Sequence, residues 1–207
     1  NAPYRKAKPV GIESEKGHFT SSRLSSLLAL LESFEGGYEL FFGHTHFACN
    51  HEIEYEGRHV MEHCHAAACG NIWQSNVNIC GTPNGYYVYT FEGTRLADCY
   101  YKGTFWKANK QMTLFRAETN FNQEPAIKKN VLIANVFNAD SRWKIYAIED
   151  GRQYPMHRIS SKGQDAFATG YHHKYSESVS YWFVSKQNGY LIMNHLYYYE
   201  PKNPDAH

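Results

Sequence analysis

Two histidines separated by a single residue, His44 and His46, stand in the stretch YELFFGHTHFACN (residues 38–50) of this 207-residue chain. On extended backbone, residues two apart project to the same side, so two imidazoles so spaced can converge on one metal centre. Gly43, just before them, lets the chain turn sharply without steric cost. Against this stands the plainer reading of a strand that ends in solvent-facing histidines.

Other side chains could join or replace them. His63 and His65 flank Cys64 in EHCHAAACG, and strand alternation puts both imidazoles on one face. There they could approach a site from a neighbouring sheet or pack in a sheet interface. His172 and His173 read as exposed loop residues. Trp73, Trp106, Trp143 and Trp182, with LYYYEP at 196–201, could form a carbohydrate or peptide platform, although aromatics at strand spacing more often build cores. Asp140 and Asp165 fall in loop-like NADS and GQDA, where they could equally cap turns. A mononuclear, cupin-like metal site would pair the H-x-H with a carboxylate, here Glu52, but it calls for a small β-barrel with no helix before it.

The elements that must hold these residues are of two kinds. FTSSRLSSLLALLESFEGG carries Leu24, Leu27, Leu28, Leu31 and Phe34 at helical spacing, which predicts a helix over 21–34 closed by Gly36 or Gly37. YELFF follows as a short apolar run suited to a buried strand. A helix feeding a buried strand is the last half of an α/β unit, and such units need further strands and a covering layer. Beyond residue 50 the pattern changes to Tyr-, Val- and Thr-containing strands punctuated by turn residues. Hairpins are predicted at Glu56-Gly57, Glu92-Gly93, Asp150-Gly151 and Asn188-Gly189. The expected class is mostly β: an incomplete α/β remnant, then an antiparallel, sandwich-like module.

Composition narrows the function. With 21 basic and 20 acidic residues there is no basic stripe for nucleic acid. The longest apolar runs are far too short for a membrane span. Five cysteines (Cys49, Cys64, Cys69, Cys80, Cys99) lack C-x-x-C spacing, so a structural zinc site is not indicated. Cys69 and Cys80 could bridge in an oxidising compartment or remain buried thiols. The opening NAPYRKAKPV has neither an initiator Met nor an apolar signal core, as expected of a processed protein, an excised piece or a fragment.

Taken together, helix, strand and FFGHTH resemble the last motif, G-H-T-H, of calcineurin-like metallophosphoesterases. HAAACGNIWQ, GTPNGYYVYTFEG, VLIANVFNADSRWKIYAIEDG and QDAFATGY resemble the C-terminal domain that follows the phosphoesterase domain in a bacterial subfamily. The resemblance implies a remnant of the phosphoesterase domain over 1–68 and the β-rich C-terminal domain over 69–207. It also implies a pair of divalent metals (Mn, Fe or Zn type) in the intact enzyme, a phosphate-ester substrate, and a periplasmic or secreted location. His44 would ligate one metal and His46 the other, with His63 and His65 as possible neighbours of the site and Trp73 and Trp106 as a possible aromatic surface.

The upstream family motifs D-x-H, G-D-x-x-D and G-N-H followed by Asp or Glu are absent from this sequence, and Asn1 falls at or just past the position of a further metal-binding His. Catalytic metals typically need about three protein ligands each. The expectation is therefore a C-terminal portion that is inactive without a missing N-terminal phosphoesterase portion. The competing expectations are a stand-alone binding module for glycan, peptide or envelope surface and, more weakly, the cupin-like metal protein.

Overall fold

The computed structural model describes residues 8–10, 21–43, 46–69, 76–78, 80–117, 128–159 and 194–203. Its first sheet has the strand order β1-β3-β4-β2. The strands are β1 (Lys8–Val10), β2 (Glu39–Phe42), β3 (Cys49–Tyr55) and β4 (Arg58–Cys64). β3 and β4 form the hairpin expected at Glu56-Gly57, whose turn residues both take positive φ (48° and 77°). Two successive left-handed residues suit the right-handed twist of the strands that they join. A Cβ at Gly57 would meet no atom within 4 Å. Gly57→Ala should nevertheless cost about 1 kcal/mol, read as a shift in urea midpoint at constant slope, because the penalty lies in backbone strain alone.

β2 joins β4 in parallel, with Phe41 opposite His63, and forms one edge of this sheet. Helix α1 (Ser21–Leu31) covers one face. Leu28, fully buried, packs there with Ile53, Tyr55 and Val60, flanked by Ala29, Tyr38 and Leu40. Two expectations are corrected at this point. The helix stops at Leu31 rather than 34, because Phe34 and Gly37 turn the chain back toward β2 through Phe34 N–H to Leu31 O and Gly37 N–H to Phe34 O. Phe34 therefore leaves the apolar stripe and is 57% exposed. β2 is not the deeply buried strand that YELFF suggests, because its edge position leaves Phe41 at 41% exposure.

The C-terminal module is built in layers around a second antiparallel sheet, β11-β12-β8-β7, comprising β11 (His157–Arg158), β12 (Leu196–Tyr199), β8 (Leu132–Val136) and β7 (Met112–Arg116). Strict alternation divides its residues. Ile133, Leu196, Phe115 and Tyr198 face one core, while Leu132, Ala134, Val136, Tyr197 and Tyr199 face another. The hairpin β5 (Gly85–Glu92) with β6 (Arg95–Gly103) supplies Tyr87 and Tyr101 to the first core. The hairpin β9 (Tyr146–Glu149) with β10 (Arg152–Pro155) supplies Ala147 and Tyr154 to the second.

The β5–β6 hairpin turns at Gly93-Thr94, one residue beyond the expected Glu92-Gly93, because Glu92 still pairs with Arg95. The β9–β10 hairpin turns at the expected Asp150-Gly151, and the expected Asn188-Gly189 turn lies outside the described residues. The tyrosine-rich sequence acquires its purpose in the first core, where Tyr87, Tyr101, Phe137 and Trp106 meet edge to face in succession. The buried Tyr101 hydroxyl donates to Pro83 O, so its burial leaves no unsatisfied polar atom. Among the described residues no helix is long and apolar enough to cross a membrane.

Candidate metal-ligand strand and its surroundings

β2 ends at Phe42, and Phe42 O accepts the N–H of His65 at 2.8 Å, which extends the parallel pairing one residue beyond β4. From that anchored end the chain leaves through Gly43. His44 lies outside the described residues. His46 is half-buried and has φ 61°, in the left-handed region that non-glycine residues seldom enter. The chain then re-enters the core at Ala48, buried, whose N–H points to Cys80 Sγ at 3.2 Å. A short excursion pinned at both ends thus carries His46 at the carboxyl end of a parallel strand.

His63 on β4 and His65, one residue past its end, both sit inside an aromatic stack. Phe41 lies against His63 at 5.0 Å between ring centres, nearly parallel, and Tyr87 stacks on His65 at 4.8 Å. His63 Nδ1 is 2.9 Å from Asn50 Oδ1. Asn50 Nδ2 donates to Asn138 O, so Asn50 Oδ1 must be the acceptor and His63 the donor at Nδ1. On its other side His63 Nε2 faces Glu39 Oε2 at 3.0 Å. His65 Nε2 meets the Tyr89 hydroxyl at 2.7 Å. Burial pushes both imidazoles below their ordinary pKa, and for His63 the Glu39 carboxylate pulls partly back. Both rings are engaged where β2 and β4 meet β5.

Glu52, the carboxylate a cupin-like site would use, accepts from Ser141 Oγ at 2.6 Å and pairs with His59 at 3.0 Å. The strand leading to His44 lies in an open sheet with a parallel pair, not in a small barrel. Asp140 caps a turn by accepting Arg142 N–H at 2.8 Å and holds the Arg142 guanidinium at 2.6 Å. Trp106 is half-buried against Phe137 and borders an apolar hollow of about 300 Å³ with Val77, Leu114 and Phe115. Trp143, 42% exposed, rims a separate polar cleft of about 250 Å³ with Glu39, His63, Asp98 and Arg142. Trp73, Trp182, Asp165, His172 and His173 lie outside the described residues.

No disulfide joins Cys69 to Cys80: Cys69 is an exposed thiol, and Cys80 is buried with Thr82 Oγ1 3.0 Å from its sulfur.

The sequence offered no pointer to three buried polar residues. Asn50 spans the two sheets. His195 pairs through Nδ1 with Asn135 Oδ1 at 2.7 Å, and burial pushes it down to about 4. Glu62 is completely buried with neither carboxylate oxygen hydrogen-bonded, and burial pushes it up to about 7. Among the described residues no set of three or more His, Cys, Asp or Glu side chains is arranged to hold a metal ion.

The model of one family, the C-terminal domain of calcineurin-like phosphoesterases, matches residues 62–207. The chain belongs to this family. No curated protein and no solved structure matches the chain. The match to the calcineurin-like phosphoesterase C-terminal domain begins at Glu62 inside β4 and takes in the layered β module. The family's metal chemistry implies divalent ions in an intact enzyme, yet the described residues do not fit a complete metal site. His46, with His44 outside the described residues, is too small a donor set for two ions.

Proposed function

We propose that this chain is the C-terminal portion of a two-metal phosphoesterase, a hydrolase of phosphate esters, to which it contributes His44, His46 and an accessory β domain. The reading rests on the parallel strand β2. It stands at an edge of its sheet, leaves Phe41 partly exposed, and runs straight into G-H-T-H. Parallel strands belong to sheets covered on both faces, and ligands gather at their carboxyl ends. The left-handed His46 fits this reading, since strained non-glycine residues cluster at functional sites.

In this reading residues 1–68 complete a phosphoesterase domain and 69–207 brace it. The remaining metal ligands come from an N-terminal phosphoesterase portion, the ions are of Mn, Fe or Zn type, and the protein works in a bacterial periplasm or outside the cell. The stand-alone binding reading has less support: among the described residues Trp106 is half-buried and Trp143 belongs to a different hollow.

The test is complementation. The purified chain should retain no divalent metal after gel filtration and should not hydrolyse an aryl phosphate. Mixing with the phosphoesterase portion, made separately, should restore both properties. His46→Ala should cut the restored turnover by roughly 100-fold or more, as expected for loss of a direct metal ligand. Hydrolysis by the chain alone that His46→Ala abolishes would overturn the inactivity of the isolated chain.

A further inference from the structure

The hairpin that follows His46 carries two cysteines whose placement the phosphoesterase reading does not use. Cys49 opens β3 and Cys64 closes β4, and the register sets them directly opposite each other. Alternation puts both on the face that Val60 and Ile53 present to α1, and both are buried, at 1% and 0% exposure. Side chains directly opposed on antiparallel strands have Cβ atoms about 4.5–5.5 Å apart. Antiparallel partners have Cα atoms about 4.5 or 5.5 Å apart, inside the roughly 4.4–6.8 Å that a disulfide spans, and their Cβ atoms must draw in to about 3.5–4.5 Å as the bridge closes. His51, two residues along β3 on the same face, places Nε2 2.8 Å from Cys49 Sγ, so an imidazole nitrogen able to take a proton in one tautomer already touches one thiol.

We propose that Cys49 and Cys64 are a redox-active pair that closes into a cross-strand disulfide when the chain meets a low-molecular-weight disulfide such as oxidised glutathione. Cys49 passes its thiol proton to His51, and its thiolate attacks the oxidant, releasing one small thiolate and leaving a mixed disulfide. The Cys64 sulfur, losing its proton, attacks the Cys49 sulfur and expels the second small thiolate. Two protein thiols become one disulfide, one oxidant disulfide becomes two thiols, and the two protons end on them. Because both sulfurs are buried in the folded chain, the exchange takes place as the two strands pair during folding. The bridge does not depend on a metal-ligand role for His46. Its effect is local: it ties β3, which begins three residues after His46, to β4.

The other thiols are placed differently. Cys80 is held by Ala48 N–H and Thr82, Cys99 faces Asn138 and Tyr89, and Cys69 is exposed.

The experiment is a peptide map of the 207-residue chain refolded in a glutathione redox buffer, alkylated in urea and cut with trypsin. Arg58 lies between the two cysteines, so trypsin separates residue 49 from residue 64 unless a bridge joins them. The expected result is a linked pair of peptides, two hydrogens lighter than their sum, containing Cys49. The link should vanish in Cys64→Ser and persist in Cys69→Ser. Should Cys64→Ser fail to fold, the Cys69→Ser, Cys80→Ser double variant decides the matter, because Cys64 is then the one cysteine in tryptic peptide 59–95. The link should persist, and the thermal midpoint should fall by roughly 5–10 °C on addition of dithiothreitol, as for a bridge closing a hairpin of this length. Alkylation of both Cys49 and Cys64 in the oxidatively refolded chain, a link that survives Cys64→Ser, or a midpoint indifferent to reductant would overturn the proposal.

Discussion

Asn50→Ala should destabilise the chain by about 3 kcal/mol, seen as a lower urea midpoint with an unchanged slope. Asn50 is 3% exposed and joins the two sheets through one amide. Its Nδ2 donates to Asn138 O at 3.1 Å and lies 3.2 Å from Asn138 Oδ1, while its Oδ1 accepts from His63 Nδ1. Truncation to Ala removes both functions and strands two buried partners, a carbonyl and an imidazole N–H. Each stranded group costs about 1–3 kcal/mol, far more than the net worth of a single hydrogen bond. The bond from Asn194 Nδ2 goes to the Asn50 backbone carbonyl and survives the change.

Asn50→Asp is the sharper variant. It keeps the shape and the acceptor for His63 but presents oxygen to three further oxygens, Asn138 O, Asn138 Oδ1 and Ala139 O, so it should cost at least as much as Ala at neutral pH. If Asp were tolerated as well as Asn, the direction of this hydrogen-bond chain would be wrong. The loss should also reach the His46 turn, because Asn50 is the second residue of the strand that follows it.

What the sequence made legible is what is local. Glu56-Gly57 and Asp150-Gly151 announce their hairpins because two left-handed residues in succession are a demand of the turn itself. The leucine spacing announces α1, though not its end, since Phe34 leaves the helix to satisfy a chain reversal that no periodicity encodes. The strand that leads to His46 was legible from the apolar run YELFF, which forms β2.

The polar core was not. Asn50 meets its partners across 13 and 88 residues, His63 meets Glu39 across 24, and His195 meets Asn135 across 60. Such pairs are created by strand register and by the docking of one sheet on another, neither of which has a signature in composition. Glu62 misleads in the opposite sense. In RHVMEHC it reads as an ordinary polar position, but its neighbours on that face of β4 are Val60 and Cys64, both buried. A charged group has been carried into the apolar layer under α1 by alternation alone.

That burial makes Glu62→Gln the variant with the most informative pH dependence. Glutamine mimics the protonated form of Glu62, so the two proteins should be equally stable near pH 4, where Glu62 is neutral in both folded and unfolded chains. The folded carboxyl is raised to about 7 from an ordinary value of 4.5 by burial. Its contribution is therefore fully present below about 4.5 and is lost as pH rises through 7, because the unfolded chain ionises first. Above pH 7 the wild type should be about 3 kcal/mol less stable than Glu62→Gln.

His195 works in the other direction. Its folded pKa is lowered to about 4 from 6.5 by burial. It favours the folded chain fully above 6.5 and loses that contribution as pH falls toward 4, where the unfolded imidazole alone is charged. Between about 4.5 and 6.5 the two groups change stability at equal and opposite rates, about 1.4 kcal/mol per pH unit, and the wild type should be nearly flat there with respect to this pair. In Glu62→Gln only the imidazole side remains, reinforced by the lowered His63 and His65. Its stability should then climb steeply across the same interval. Urea midpoints of both proteins at unit steps from pH 4 to 8 decide it. A difference between them that stays constant with pH would mean that Glu62 reaches water and that the buried carboxylate plays no part in setting the stability of this sheet.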